Sequence, residues 1–174
     1  MTVLSAQSIA QKVAASQLGI EPFSEAATSH GMSYGLSSCG YDIRIGKIDR
    51  KIIQRGQNSI EASAPSWVVR PGEFILLSSL ERIKMPNDLV AIVHDKSTLA
   101  RKGIAFQNTV LEPGWEGYIT LELSNHGHDN VTIKVGQPIC QLLFHMLDQP
   151  TNQPYVGKYQ NQSAEPTSAI FADH

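Results

Sequence analysis

The sequence predicts an all-β barrel or sandwich carrying one or two helices, and three observations support this. Short stretches with strand-like alternation recur from residue 39 to residue 146, each only four to ten residues long. Turn-forming clusters separate them at residues 85–88 (MPND), 112–114 (EPG), 125–127 (NHG) and 136–138 (GQP). A helical period shows in only one stretch, close to the N-terminus. Many short strands at regular spacing are the pattern of a closed or stacked antiparallel sheet.

Residues 4–18 place Leu4, Ile9, Val13 and Leu18 at helical spacing, with Ser5 as N-cap and Gly19 as the stop. From Pro22 to Ser38 the chain is rich in Ser, Gly and small residues and reads as loop. Residues 39–46 (CGYDIRIG) alternate and end on glycine. Residues 68–77, interrupted by Pro71-Gly72, predict two short strands joined by a bend. Further strands are expected at 89–93, 104–107, 118–123, 131–135 and 139–146, and residues 97–102 predict a single helical turn. Residues 148–174 are polar, contain Pro150, Pro154 and Pro166, and lack periodicity, so they read as a tail that must fold onto something to be ordered. The whole of 1–174 is expected to be one domain.

Composition narrows the function. With 174 residues, 41% hydrophobic and 17% charged, the chain can bury an ordinary core. A formal charge of −2 speaks against a long nucleic-acid track, which needs a basic excess, but permits a small anionic ligand. No apolar run is long enough for a bilayer, so a cytoplasmic protein is expected, with no membrane partner. Cys39 and Cys140 are the only cysteines and read as reduced, buried small hydrophobes.

Six histidines raise the question of a metal. His126 and His128 form an HxH pair at a turn, but neither cysteine lies in a CxxC, and the HxE and PCxxC elements of zinc deaminases are missing; a solvated turn is the simpler account. Ser97 lacks a GxSxG elbow, and no Walker loop is present. Two features remain. Lys96, Ser97, Thr98 and Arg101 bring two hydroxyls and two cations to one turn, which is either an anion pocket or a capped surface turn. Glu122 sits within the strand-like run 118–124, where glutamate is disfavoured. Its face reads Tyr118, Thr120, Glu122, Ser124 and is either solvent-exposed or lines a polar cavity; if covered, the acid must be paired or used.

Five ordered motifs then stand out: KSTLAR (96–101), LEPGWEG (111–117), TLELSN (120–125), ICQLLF (139–144) and KYQNQ (158–162), preceded by GLSSCGYDIRIG (35–46) and RPGEFILLSSLE (70–81). Together they resemble the dCTP deaminases of the dUTPase-like superfamily of trimeric β-barrels. The resemblance covers nearly the whole chain. It implies a mainly β, distorted barrel or jelly roll with one or two short helices, a C-terminal tail (148–174) that orders over the site on nucleotide binding, and a homotrimer with sites between subunits.

The resemblance also implies roles. Glu122 would be the general base and acid that takes a proton from water and passes protons to N3 and the leaving ammonia at C4 of cytosine. Ser97 and the main-chain carbonyl of Val110 would hold that water, and Arg101 would orient the serine and stabilise developing charge. The segment Lys96, Ser97, Thr98, Leu99, Ala100 and Arg101 would contact substrate, its first three residues at the phosphates. Glu112 would meet the 3′-hydroxyl, with Thr120, Leu121, Gln141, Tyr155, Lys158 and Gln162 as further contacts. No zinc is required, Mg²⁺ arrives on the triphosphate, and dTTP is an expected inhibitor. Lys96 departs from the arginine of many members, and the loop Gln107-Asn108-Thr109-Val110 matches neither the dUTP-releasing nor the dUMP-releasing form throughout. The expected activity is therefore deamination of dCTP to dUTP and ammonia. The alternatives are a bifunctional enzyme yielding dUMP and diphosphate, a pure dUTPase, and a non-catalytic nucleotide sensor.

Overall fold

Antiparallel strands build the chain as the alternation predicts, but they start earlier and run longer. The structure, a computed structural model, describes residues 2–51, 60–61, 65–107 and 109–171. Asn108 of the 107–110 loop and tail positions 172–174 lie outside the described residues.

β1 (Thr2–Val3) pairs with residues 145–146, Val3 opposite His145. Ser5 then caps α1 (Ala6–Ala14), its hydroxyl accepting from the Ser8 amide at 3.4 Å. The helix stops short of residue 18 because Ser16 adopts a left-handed φ of 55°. Leu18 still reaches the core, and Gly19, instead of stopping a helix, opens β2 (Gly19–Glu21). The stretch expected to be loop, 22–38, holds β3 (Ala27–Ser29) and β4 (Met32–Ser37), joined at His30-Gly31. Their apolar alternation is missing because β4 buries little beyond Met32 and Gly35. At Gly35, with φ +81°, a Cβ would come within 2.3 Å of the Glu25 carbonyl oxygen, so glycine is required there.

The remaining elements are β5 (Gly40–Lys51), β6 (Ile60–Glu61), β7 (Ser66–Val69), β8 (Phe74–Lys84), β9 (Leu89–Asp95), α2 (Ser97–Ala100), β10 (Ile104–Phe106), β11 (Val110–Leu111), β12 (Glu116–Asn125), β13 (Val131–Lys134) and β14 (Pro138–Met146). The main path of the sheet runs β10-β12-β8-β5-β14-β9-β11, while β7 and β13 pair separately. The bend at Pro71-Gly72 is present, and it sends β7 to β13 while β8 enters the main sheet. Inward residues of the long strands, among them Ile43, Ile45, Leu77, Leu121, Leu123, Leu142 and Phe144, are fully buried and form one core. Cys140 belongs to that core, and burial pushes its thiol well up; Cys39, expected to be buried, is exposed, and both thiols are free.

One irregularity shapes the site. Tyr118 and Thr120 of β12 lie opposite Arg82 and Ser78 of β8, so β8 bulges between them. Ser79 fills the gap, accepting from the Ile119 amide at 2.8 Å and donating to the Glu81 carbonyl at 2.7 Å. The bulge leaves Glu81 fully buried against β5, where its carboxylate accepts from the backbone amide of Arg44 at 2.9 Å and from Arg44 Nε at 2.7 Å. Burial raises the Glu81 pKa and the Arg44 contacts oppose the rise. Tyr34 caps the other side of the Arg44 guanidinium, 4.4 Å from ring centroid to Cζ.

Candidate active site

The chain gathers the expected site residues into two separate groups. The first lies where β4, β5, β14 and β9 run side by side. Register places Asp42, Gln141 and His94 directly opposite one another on three neighbouring strands. Lys96, immediately after β9, puts Nζ 2.6 Å from Asp42 Oδ2 and 3.2 Å from Ser33 Oγ, and Ser33 itself donates to Asp42 Oδ2 at 3.1 Å. Gln141 Nε2 donates to Ser37 Oγ at 2.9 Å. The Lys96 ammonium is thus already engaged, which the sequence did not suggest. Ser97, Thr98, Ala100 and Arg101 are exposed, and the Leu99 side chain is core, so Leu99 can meet a ligand only through its main chain.

Val110 belongs to the same edge of the sheet. The amide of Val93 donates to the Thr109 carbonyl at 3.1 Å, and Val110 stands opposite Ile92. Alternation in an antiparallel pair then makes Val110–Ile92 the non-hydrogen-bonded pair, so the Val110 carbonyl faces away from β9 along the open edge. An acceptor with no sheet partner is what a water-holding role requires.

The second group is built on β12. Leu121 and Leu123 enter the core, leaving Thr120, Glu122 and Ser124 on the opposite face. This face is covered at Thr120 and half-covered at Glu122. Residues 155–167 of the tail lie across it. Tyr155 donates its amide to the Pro113 carbonyl at 2.8 Å, Trp115 Nε1 donates to the Tyr159 carbonyl at 2.8 Å, and the Tyr118 amide donates to the Gln162 carbonyl at 3.1 Å. Thr120 Oγ1 accepts from Gln162 Nε2 at 3.4 Å and from the Thr167 amide at 3.0 Å, and Ser78 Oγ donates to the Ala164 carbonyl at 2.7 Å. Lys158 donates to the Ile170 carbonyl and lies 5.2 Å from the Tyr159 ring centroid, while Glu112 is exposed at the turn before Trp115.

Glu122 has no ion pair or side-chain hydrogen-bond partner among the described residues. Its neighbour on the same face, Ser124, accepts from Gln107 Nε2 at 3.3 Å, and the Gln107 amide donates to the Glu122 carbonyl at 3.0 Å. Burial raises the Glu122 pKa, opposed only by its own backbone amide. A carboxylate with a raised pKa and no partner can exchange a proton, which a salt-bridged structural acid cannot do as readily.

Among the described residues no hydrogen bond or ion pair links Lys96–Arg101 to Glu122. They are joined through the scaffold alone: Asp95 Oδ1 accepts from the Phe106 amide at 3.0 Å, and β10 pairs with β12 from Asn125 to Leu123. The chain thus carries a cation-and-hydroxyl group around Lys96–Arg101 and a carboxylate-and-tail group on β12. Sequence reasoning missed Asp42 and Ser33. The available signal for Asp42 was a pair of opposite charges, Asp42 and Arg44, two residues apart on one face of the otherwise uncharged first half of β5, residues 40–46. His126 and His128 are exposed beyond the end of β12.

A family model described as dCTP deaminase-like matches residues 3–147. The dCTP deaminase of Acidobacterium capsulatum is 40% identical over 159 residues, covering 82% of this chain and 86% of that one. Among solved structures, the 2′-deoxycytidine 5′-triphosphate deaminase of Agrobacterium tumefaciens superposes with a TM-score of 0.64 at 18% identity, over 83% of this chain and 48% of that longer one. The EIAV dUTPase superposes at 0.53 with 16% identity, over 81% and 98%. At such identities the two structures speak to fold, and the fold is dUTPase-like.

Proposed function

The chain belongs to the dCTP deaminase-like family, and from that premise we propose that it hydrolyses the C4–N bond of the cytosine in dCTP, releasing dUTP and ammonia without zinc. The carboxylate of Glu122 carries the reading: half-buried, unpartnered among the described residues and raised in pKa, on a strand face roofed by the tail. The substrate is dCTP as its Mg²⁺ complex, the ion riding on the phosphate oxygens.

Water held by Ser97 Oγ and the Val110 carbonyl attacks C4. Glu122 takes its proton and delivers it to N3, giving a tetrahedral centre that bears both oxygen and nitrogen. The same carboxyl then carries a second proton from the C4 hydroxyl to the amino group, the C–N bond breaks, and ammonia leaves as the carbonyl forms. Arg101 orients Ser97 and offsets charge developing on the ring. Lys96 and Thr98 receive the phosphates, with Ser97 reaching them only through its main chain, Glu112 meets the 3′-hydroxyl, and Gln141, Tyr155, Lys158 and Gln162 complete the enclosure, with the tail ordering over the bound nucleotide and excluding water. dTTP competes for the same enclosure as an inhibitor.

The working form implied by the family resemblance is a homotrimer in which one subunit's Lys96–Arg101 segment faces another's Glu122, consistent with the lack of any hydrogen bond or ion pair between them within a chain among the described residues. Two inactive variants, Ser97→Ala and Glu122→Gln, should therefore regain activity when mixed, unfolded and reassembled together, since hybrids contain intact composite sites. Separate reassembly controls should stay inactive. Absence of recovery in verified hybrid trimers would place each site within one chain.

The reaction itself is tested by incubating the protein with Mg²⁺ and dCTP, separating the nucleotides and counting ammonia. Accumulating dUTP with one ammonia per turnover is expected. Direct appearance of dUMP and diphosphate would make the enzyme bifunctional, consumption of dUTP alone a dUTPase, and binding without turnover a sensor.

A further inference from the structure

We propose that Asp42 is a positioning residue for Lys96, fixing the ammonium that meets the triphosphate of the substrate. The inference rests on the phosphate-binding role read above for Lys96 and adds the device that makes a flexible lysine fit for it. A lysine is a point charge on a four-carbon stem, so a defined phosphate contact requires that the stem be held. Here Nζ is held twice, by Asp42 Oδ2 at 2.6 Å and by Ser33 Oγ at 3.2 Å, and the side chains of Lys96 and Asp42 are only 11% and 5% exposed. An ammonium has three donors, and two are spent, which leaves one for a phosphate oxygen.

Two further observations separate this from an ion pair kept for stability alone. Asp42 Oδ1 is buried and makes no hydrogen bond among the described residues, and residues Ser33, Tyr34, Ser37 and Asp42 are among those lining a cavity of about 440 Å³. A buried pair that served only stability would gain most by saturating both carboxylate oxygens. Moreover, β4 holds a second expected ligand residue in the same manner, Gln141 through Ser37. Strands β4 and β5 thus hold both Lys96 and Gln141 in place through their side chains.

The test is calorimetric titration of the assembled enzyme with inorganic triphosphate, together with dCTP kinetics, for Asp42→Asn, Ser33→Ala, Lys96→Gln and the double variants. Asp42→Asn should weaken triphosphate binding about tenfold, the scale of one charge-assisted contact, and raise KM for dCTP equally, with kcat within about twofold. Ser33→Ala should move both in the same direction by about two- to threefold. In the Lys96→Gln background neither change should have any further effect, because the group being positioned is gone. Effects that multiply with Lys96→Gln, or a loss of kcat with triphosphate affinity intact, would overturn the proposal. Should Asp42→Asn fail to fold, the Ser33–Lys96 cycle decides by the same criteria. Coupled triphosphate binding in a protein that leaves dCTP intact would sink the deaminase reading and keep this one; uncoupled binding in an active deaminase would do the reverse.

Discussion

Glu122→Gln should retain dCTP binding and lose ammonia release by about 10²–10⁴-fold, the usual worth of a positioned general base. Binding by calorimetry and single-turnover ammonia release separate the two effects, and retained turnover would remove Glu122 from the reaction. Two pH signatures accompany the loss. The base must be ionised in the free enzyme, so the wild-type kcat/KM should fall as pH drops through a pKa lying above the ordinary glutamate value of about 4.3. The stability signature has the opposite slope. A carboxyl whose pKa is raised on folding binds its proton more tightly in the folded state, so stability falls as pH rises from the unfolded pKa through the folded one. Glutamine does not titrate. Glu122→Gln should therefore melt above wild type near pH 7, and the gap should close on acidification. A variant that is dead and more stable is what an acid held for chemistry predicts.

Glu81→Ala should cost about 3–5 kcal/mol, the loss incurred when one partner of a buried ion pair is removed and the other charge is left uncompensated. Arg44 loses both its side-chain and its backbone acceptor, and the β8 bulge loses the group it buries. Urea unfolding at fixed protein concentration reads the change, since assembly would otherwise shift the midpoint. Arg44→Met in the Glu81→Leu background should recover part of the loss, because an apolar pair of similar volume leaves no buried charge, while the residue-44 amide stays without the acceptor that Glu81 supplied. An Ala variant within about 0.5 kcal/mol of wild type, the range of an ordinary surface change, would show the pair to be expendable.

How far the sequence speaks is clearest residue by residue. The capped helix at Ser5, the strands around Leu121 and Leu142, and the bend at Pro71-Gly72 are local facts of period and turn chemistry, and they appear where expected. β3 and β4 were illegible because their residues are small and polar: β4 is held by backbone pairing to β5 and by a glycine that packs on the Glu25 carbonyl, and neither leaves a hydrophobic period. Glu122 was legible as an acid out of place, but whether its face was covered depended on a tail that meets it from forty residues away. The Lys96–Asp42 contact joins residues 54 positions apart, and no local pattern encodes that distance.

The way the tail is fastened bears on which sequence changes the protein can absorb. Most of its ties to the barrel use main-chain atoms of the tail: the Tyr155 and Asn161 amides and the Tyr159, Gln162 and Ala164 carbonyls. Backbone groups are the same whichever residue carries them, so exchanges at positions such as the exposed Val156 leave the fastening intact, whereas Gln160 ties Glu116 and Gly114 through its side chain and Tyr155, Lys158 and Gln162 are proposed to meet the ligand. Spacing is another matter. Gln162 bridges to Gly117, where a Cβ would come within 2.7 Å of the Gln162 amide nitrogen, so the approach admits one alignment. Losing or gaining a single residue between Tyr155 and Gln162 would slide every later attachment past its partner. In this segment length is under tighter constraint than composition, and natural variation there should accumulate as substitutions far more readily than as insertions or deletions.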